Sequence, residues 1–169
     1  MSDVTMKGNP VTLLGNSVNV GDSIPEVTLT ANDLSDFSLS SIKGKKAIIS
    51  VVPSLDTGIC DLQTKRFNKE AETLGDDVTI VTVSVDLPFA QSRWCGATGS
   101  DKVITVSDYK SNAFGQAFGV LIEGLLLLAR AIFVVDENGV VQYKELVPEI
   151  TTEPNYDAAL DALKAINAA

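Results

Sequence analysis

The sequence predicts an α/β domain built on a mixed central sheet with helices on both faces. Residues 47–52 are continuously apolar except for Ser50, as a strand covered on both faces requires. Strand-like and helix-like runs then alternate three times along the chain. Finally, residues 131–135 and 140–143 flank Asp136-Glu137-Asn138-Gly139, a hairpin turn that adds antiparallel strands to the sheet. At 169 residues, with 45% hydrophobic residues and a mean hydropathy of +0.19, the chain suits one domain with a substantial core.

The elements follow in order. Residues 11–14 and 18–20 flank Gly15-Asn16, which predicts an N-terminal β-hairpin. After Pro25, residues 27–30 predict a short strand, and a polar connection through Asn32, Asp33 and Ser35 leads to residues 37–39. Gly44-Lys45-Lys46 turns the chain into the central strand. A helix beginning near Cys60 carries Phe67, Ala71 and Leu74 on one face, with Gly75 as its stop. Residues 78–85 are rich in β-branched side chains and predict the next strand. Pro88 opens a helical segment ending near Trp94-Cys95-Gly96, residues 103–106 read as strand, and residues 112–118 as a short helix. Beyond the hairpin, Tyr156, Leu160 and Leu163 mark an amphipathic C-terminal helix.

Composition narrows the function. Thirteen Lys and Arg against 22 Asp and Glu give a net charge of −9, which opposes binding to nucleic acid or to an anionic membrane. Leu125-Leu126-Leu127-Leu128 is bracketed by Glu123 and Arg130 and is far shorter than the roughly 20 apolar residues of a spanning helix. It reads as core. The first ten residues lack the basic-then-apolar pattern of a secretory signal, so a cytoplasmic location is expected. Two cysteines without a histidine do not fill an ordinary zinc site, and no metal is expected.

The chemistry concentrates in Pro53-Ser54-Leu55-Asp56-Thr57-Gly58-Ile59-Cys60, between the central strand and the following helix. A cysteine in a first helical turn sits among unpaired N–H groups at the positive end of the macrodipole. That setting favours the thiolate, which is the nucleophile. The Thr57 hydroxyl, three residues upstream, can point toward the sulfur, and Pro53, lacking an N–H, can wall the site from water. Asp56 and Asp61 oppose ionisation, so a cation must come from elsewhere. Arg130, inside an otherwise apolar run, is the candidate: either it pairs with the site or it reaches solvent from a strand end. Cys95 is either an inert core thiol or a resolving cysteine that condenses with a sulfenic acid at Cys60. A disulfide needs Cα atoms within about 7 Å. Joining two helices in this way involves local unwinding, which Gly96 and Gly99 would ease.

Pro53…Thr57…Cys60 matches the P-x-x-x-[T/S]-x-x-C signature, and the chain resembles the peroxiredoxins. Gln63-Thr64-Lys65-Arg66-Phe67-Asn68, Arg93-Trp94-Cys95-Gly96, Ser107-Asp108 and Leu128-Ala129-Arg130-Ala131 are similar to the thiol peroxidase subfamily, the atypical two-cysteine peroxiredoxins of bacteria. The resemblance runs from about Val11 to the end. It implies a thioredoxin-like fold and reduction of hydrogen peroxide and of alkyl or lipid hydroperoxides. It assigns Cys60 as the peroxidatic cysteine and Cys95 as its resolving partner in the same chain. Thr57 and Arg130 would orient peroxide and thiolate, and Pro53 would shield them. Thioredoxin as reductant, a homodimer and the absence of any cofactor are implied with it. One departure is Gly58, where many relatives carry proline, which predicts a looser loop.

Competing readings differ in chemistry. A dithiol oxidoreductase wants C-x-x-C, and the position three before Cys60 is Thr57. A redox-sensing switch would use the same two cysteines without turnover. A purely structural α/β module predicts thiols indifferent to peroxide.

Overall fold

A computed structural model describes residues 4–74, 77–98 and 103–167. Gly75, the expected helix stop, and Gly99, beside Cys95, lie outside the described residues. In chain order the elements are β1 (Thr5–Met6), β2 (Asn9–Pro10), β3 (Leu13–Leu14), β4 (Thr28–Ala31), β5 (Asp36–Ser38), β6 (Lys46–Val51), α1 (Gly58–Leu74), β7 (Val78–Ser84), α2 (Pro88–Thr98), β8 (Ile104–Ser107), α3 (Ala113–Phe118), β9 (Leu121–Ile122), β10 (Ala131–Val135), β11 (Val141–Leu146) and α4 (Tyr156–Asn167).

Seven strands form the main sheet, in the order β11-β10-β6-β7-β8-β4-β5. β6, β7 and β8 are parallel because α1 and α2 return the chain between them. β4, β5, β10 and β11 run antiparallel to their neighbours, so the sheet is mixed, as its alternating elements and hairpin predict.

β6 is buried at every position because successive residues point to opposite, equally covered faces. Ile48, with Ile80, Ile132 and Val134, packs with Phe67 of α1 and Leu160 and Leu163 of α4. Ile49 and Val51, with Val81, Val83 and Phe133, pack with Phe114 and Phe118 of α3. Phe114 stacks on Phe118 at 4.1 Å between ring centres, and Phe118 meets Phe133 edge-on at 5.1 Å. Burying each ring contributes about 1.5–3 kcal/mol. These two layers cover β6 on both faces.

Two expectations are corrected. The N-terminal hairpin exists but lies earlier: β1 pairs with β2 around Lys7-Gly8, while β3 pairs with β9 across the molecule. Lys7 (φ 51°) and Gly8 (φ 81°) both take the left-handed conformation that a two-residue hairpin turn demands. Gly15 serves a different purpose. A Cβ there would lie 2.1 Å from the Gln116 carbonyl oxygen, so glycine permits the backbone approach in which Asn16 N–H donates to that oxygen at 2.8 Å. The four-leucine run is also not uniformly core: Leu128 is fully buried, but Leu125 and Leu126 are half exposed. They occupy a tight turn after β9, with Gly124 at φ 83° and Leu126 at φ 56°, and a turn there cannot present every side chain inward.

Candidate active site

Strand register sets the site. Ala131 of β10 lies opposite Val51 of β6, so Arg130 comes level with the point where the chain leaves the sheet through Val52 and Pro53. α1 then starts at Gly58 and brings Cys60 back in its first turn. The intervening loop is pinned by Asp86, which follows β7. Its carboxylate accepts from Ser54 Oγ (2.7 Å), Leu55 N–H (2.8 Å) and Ser84 Oγ (2.8 Å).

Thr57 caps the helix. Its Oγ1 accepts from Cys60 N–H at 3.4 Å and donates to the Ser54 carbonyl at 3.1 Å. The hydroxyl proton is therefore engaged with the loop and is not directed at the sulfur, contrary to the simplest expectation from spacing. Of the two acids feared as opponents of ionisation, Asp56 is exposed. Asp61 is neutralised: Oδ2 pairs with Lys65 Nζ at 2.8 Å and Oδ1 accepts from Trp94 Nε1 at 2.8 Å.

Arg130 does not reach solvent. Only 2% exposed, it spends its planar fork on three acceptors: Nε on the Ile150 carbonyl (2.8 Å), Nη1 on Gln63 Oε1 (2.8 Å) and Nη2 on Cys60 Sγ (3.2 Å). Gln63 is fully buried one turn beyond Cys60 on α1. Because arginine is donor-only, Gln63 must turn its oxygen to Arg130, which sends its Nε2 to Ser50 Oγ at 2.6 Å. Ser50, the one polar residue of the central strand, is thus a support for the site.

Above this layer lies a cavity of about 750 Å³, lined among others by Pro53, Thr57, Ile59, Leu62, Arg130 and Ile150. The Leu125–Leu128 run takes no part in it. Cys60 is fully buried, one guanidinium group beneath the cavity floor. Cys95, on α2, is a half-buried free thiol packed against the cluster of Val52, Leu55, Cys60 and Trp94. Its Sγ meets Thr105 Oγ1 at 3.5 Å.

Four of the expected residues, Pro53, Thr57, Cys60 and Arg130, therefore converge on one corner, and Cys95 packs at its flank. Gln63 and Asp86 were not singled out as site residues. Gln63 carried the available signal, an amide on the same helical face one turn after the cysteine. Asp86 gave none, since a lone Asp after a strand is an ordinary loop residue.

A mixed sheet carrying a thiol in the first turn after its central strand, backed by a buried arginine, defines the peroxiredoxin class of thioredoxin-like proteins. The comparisons agree. A family model described as Redoxin matches residues 19–160. The thiol peroxidase of Bacillus subtilis strain 168 is 57% identical over 166 residues, covering 98% of this chain and 99% of that protein. That of Halalkalibacterium halodurans is 55% identical over 165 residues, with coverages of 98% and 99%. A crystal structure of a peroxiredoxin-like protein from Aquifex aeolicus superposes with a TM-score of 0.90 at 42% identity, covering 96% of each chain. The chain belongs to the Redoxin family, in its thiol peroxidase group. Among the described residues no helix is long and apolar enough to cross a membrane.

Proposed function

We propose that this chain is a thiol-dependent peroxidase reducing hydrogen peroxide and organic hydroperoxides, alkyl or lipid, to water or alcohol. The observation that carries the reading is the Arg130 guanidinium, 2% exposed and 3.2 Å from Cys60 Sγ. Among the described residues no carboxylate lies within ion-pair range of it. A buried cation without an acid partner is costly. A thiolate at Cys60, the nucleophile this reaction uses, would supply that negative charge.

The reaction follows from this arrangement. Cys60 Sγ attacks the distal peroxide oxygen, the O–O bond breaks, and the departing alkoxide takes a proton to leave as alcohol or water. Arg130 and the first-turn N–H groups stabilise the negative charge as it moves from sulfur to oxygen. Thr57, on the cavity wall, offers its oxygen to the peroxide O–H, and Pro53 excludes water. Cys60 is left as a sulfenic acid. The Cys95 thiol attacks it, forming the Cys60–Cys95 bond within one chain and releasing water. A dithiol protein, thioredoxin, then donates two electrons by thiol–disulfide exchange and regenerates both thiols. A homodimer in the cytoplasm, with residues 1–169 acting as one domain, belongs to the same reading through the family resemblance.

The experiment is intact mass after one equivalent of cumene hydroperoxide is added to fully reduced protein. Loss of two hydrogens, with no dimer on a nonreducing gel, is the expected result. An unchanged mass would mean thiols inert to this substrate and would sink the reading.

A further inference from the structure

Glu149, in the loop after β11, accepts five hydrogen bonds, three from the distant residues 5–8 and two from neighbouring Thr151. Its Oε1 accepts from Thr5 Oγ1 and Gly8 N–H, each at 2.8 Å. Its Oε2 accepts from Lys7 N–H (3.0 Å), Thr151 N–H (2.9 Å) and Thr151 Oγ1 (2.6 Å). Beside them, Thr5 N–H donates to the Pro148 carbonyl at 2.7 Å and Ile150 N–H to the Thr5 carbonyl at 2.9 Å. The β1–β2 ribbon has two residues per strand and pairs with no other named strand. A ribbon that small is not stable alone in water. The carboxylate ties its turn to the body of the protein.

That ribbon forms part of the cavity. Met6 and Lys7 lie on its wall, and Ile150 and Thr151, adjoining Glu149, lie there too. Hydrogen peroxide needs only the corner of Arg130, Thr57 and Cys60. An organic hydroperoxide must also seat a carbon skeleton in the apolar space above.

We propose that Glu149 is a positioning residue that fixes the N-terminal hairpin as the outer wall of the cavity, and so sets the preference for organic hydroperoxides over hydrogen peroxide. This rests on the peroxidase reading above. Glutamine does not replace it: one amide oxygen cannot serve both sets of donors, and its NH2 would face N–H groups.

The test is the second-order rate constant of fully reduced protein with cumene hydroperoxide and with hydrogen peroxide, followed by thiol loss. The ratio of the two constants is expected to fall about tenfold in Glu149→Ala, the scale set by one lost methylene contact in an apolar pocket. Glu149→Gln should fall between it and wild type. Adding Met6→Ala should lower the ratio in wild type and have no further effect in Glu149→Ala. Hydrogen exchange should show residues 4–10 losing protection in Glu149→Ala while residues 46–51 keep theirs. Thr5→Val, which removes a single donor, carries the same measurement if Glu149→Ala does not fold. An unchanged ratio, whether both constants fall together or neither moves, overturns the proposal, as does a hairpin still protected in Glu149→Ala. Wild-type protein inert to both peroxides is a separate failure, that of the peroxidase reading, and it is visible before any variant is made.

Discussion

Trp94 donates its indole N–H to Asp61 at 2.8 Å, which joins the residue before Cys95 to the residue after Cys60. The bond ties α2 to the first turn of α1 at the place where a disulfide between the two cysteines would have to form. Cys95 Sγ meanwhile faces Thr105 and Cys60 Sγ faces Arg130. Bringing the sulfurs together therefore means disturbing this contact.

The sole tryptophan should report that event. Trp94 is 8% exposed in the reduced protein, and its emission should shift to the red when the disulfide forms. Asp61→Ala should shift the reduced spectrum part of the way and cost about 1 kcal/mol of stability, the scale of one hydrogen bond. Identical emission from reduced and oxidised protein would count against movement at Cys95.

Cys60→Ser should abolish peroxide consumption. Cys95→Ser should still reduce one equivalent of peroxide and then stop, with no recycling by thioredoxin. Multiple turnovers with thioredoxin in Cys95→Ser, followed by reductant consumption, would remove Cys95 from the cycle.

Arg130→Lys keeps the charge but not the fork that serves Gln63, Ile150 and Cys60 together. Peroxidase kcat/KM should fall about 10²-fold, the usual cost of one lost transition-state donor. Gln63→Ala leaves Arg130 Nη1 and Ser50 without their partner and should cost about 1–3 kcal/mol in urea unfolding. An Arg130→Lys enzyme of wild-type efficiency would refute the role given to the guanidinium.

Gly58 opens α1 outside the left-handed region, and a Cβ added there meets nothing within 4 Å. Glycine at this position only enlarges the unfolded ensemble. Gly58→Ala should stabilise the protein by about 0.5 kcal/mol. Thermal unfolding should move up by about 1–2 °C, as expected for a chain of this size. A lower midpoint would show that the loop needs the freedom of glycine.

Bonds from the Thr151 hydroxyl and then from the Thr151 and Gly8 amides hold the Glu149 carboxyl well below the usual carboxylate range. A depressed folded value means stability that is fully present above the ordinary value of 4.5 and lost as pH falls below it. The advantage of wild type over Glu149→Gln in urea unfolding should therefore be constant near neutrality and shrink on acidification below about pH 4.5. An advantage independent of pH would mean that the bonds do not depend on charge.

Local pattern was enough for much of this protein. The apolar period of 47–52, the helical spacing of Phe67, Ala71 and Leu74, and the turn at Asp136-Glu137-Asn138-Gly139 each depend on neighbours a few residues away, and each element formed where its pattern placed it. The Pro53…Thr57…Cys60 motif was legible for the same reason, since a helix start and a cysteine in its first turn are local facts. Arg130 could be named as a candidate but not placed, because only the pairing of Ala131 with Val51 brings it to the end of β6. The true partner of Leu13 and Leu14 was hidden too: β9 lies more than a hundred residues away, and Gly15 looks like a hairpin glycine until Gln116 is seen packed against it. Gln63, Asp86 and Glu149 act through hydrogen bonds to groups remote in sequence, and such bonds leave no periodic trace. The chain's own pattern determined most of its strands and helices and put Cys60 at a helix start; long-range backbone pairing decided what surrounds that sulfur, because proximity across a sheet is a property of the fold and of no single segment.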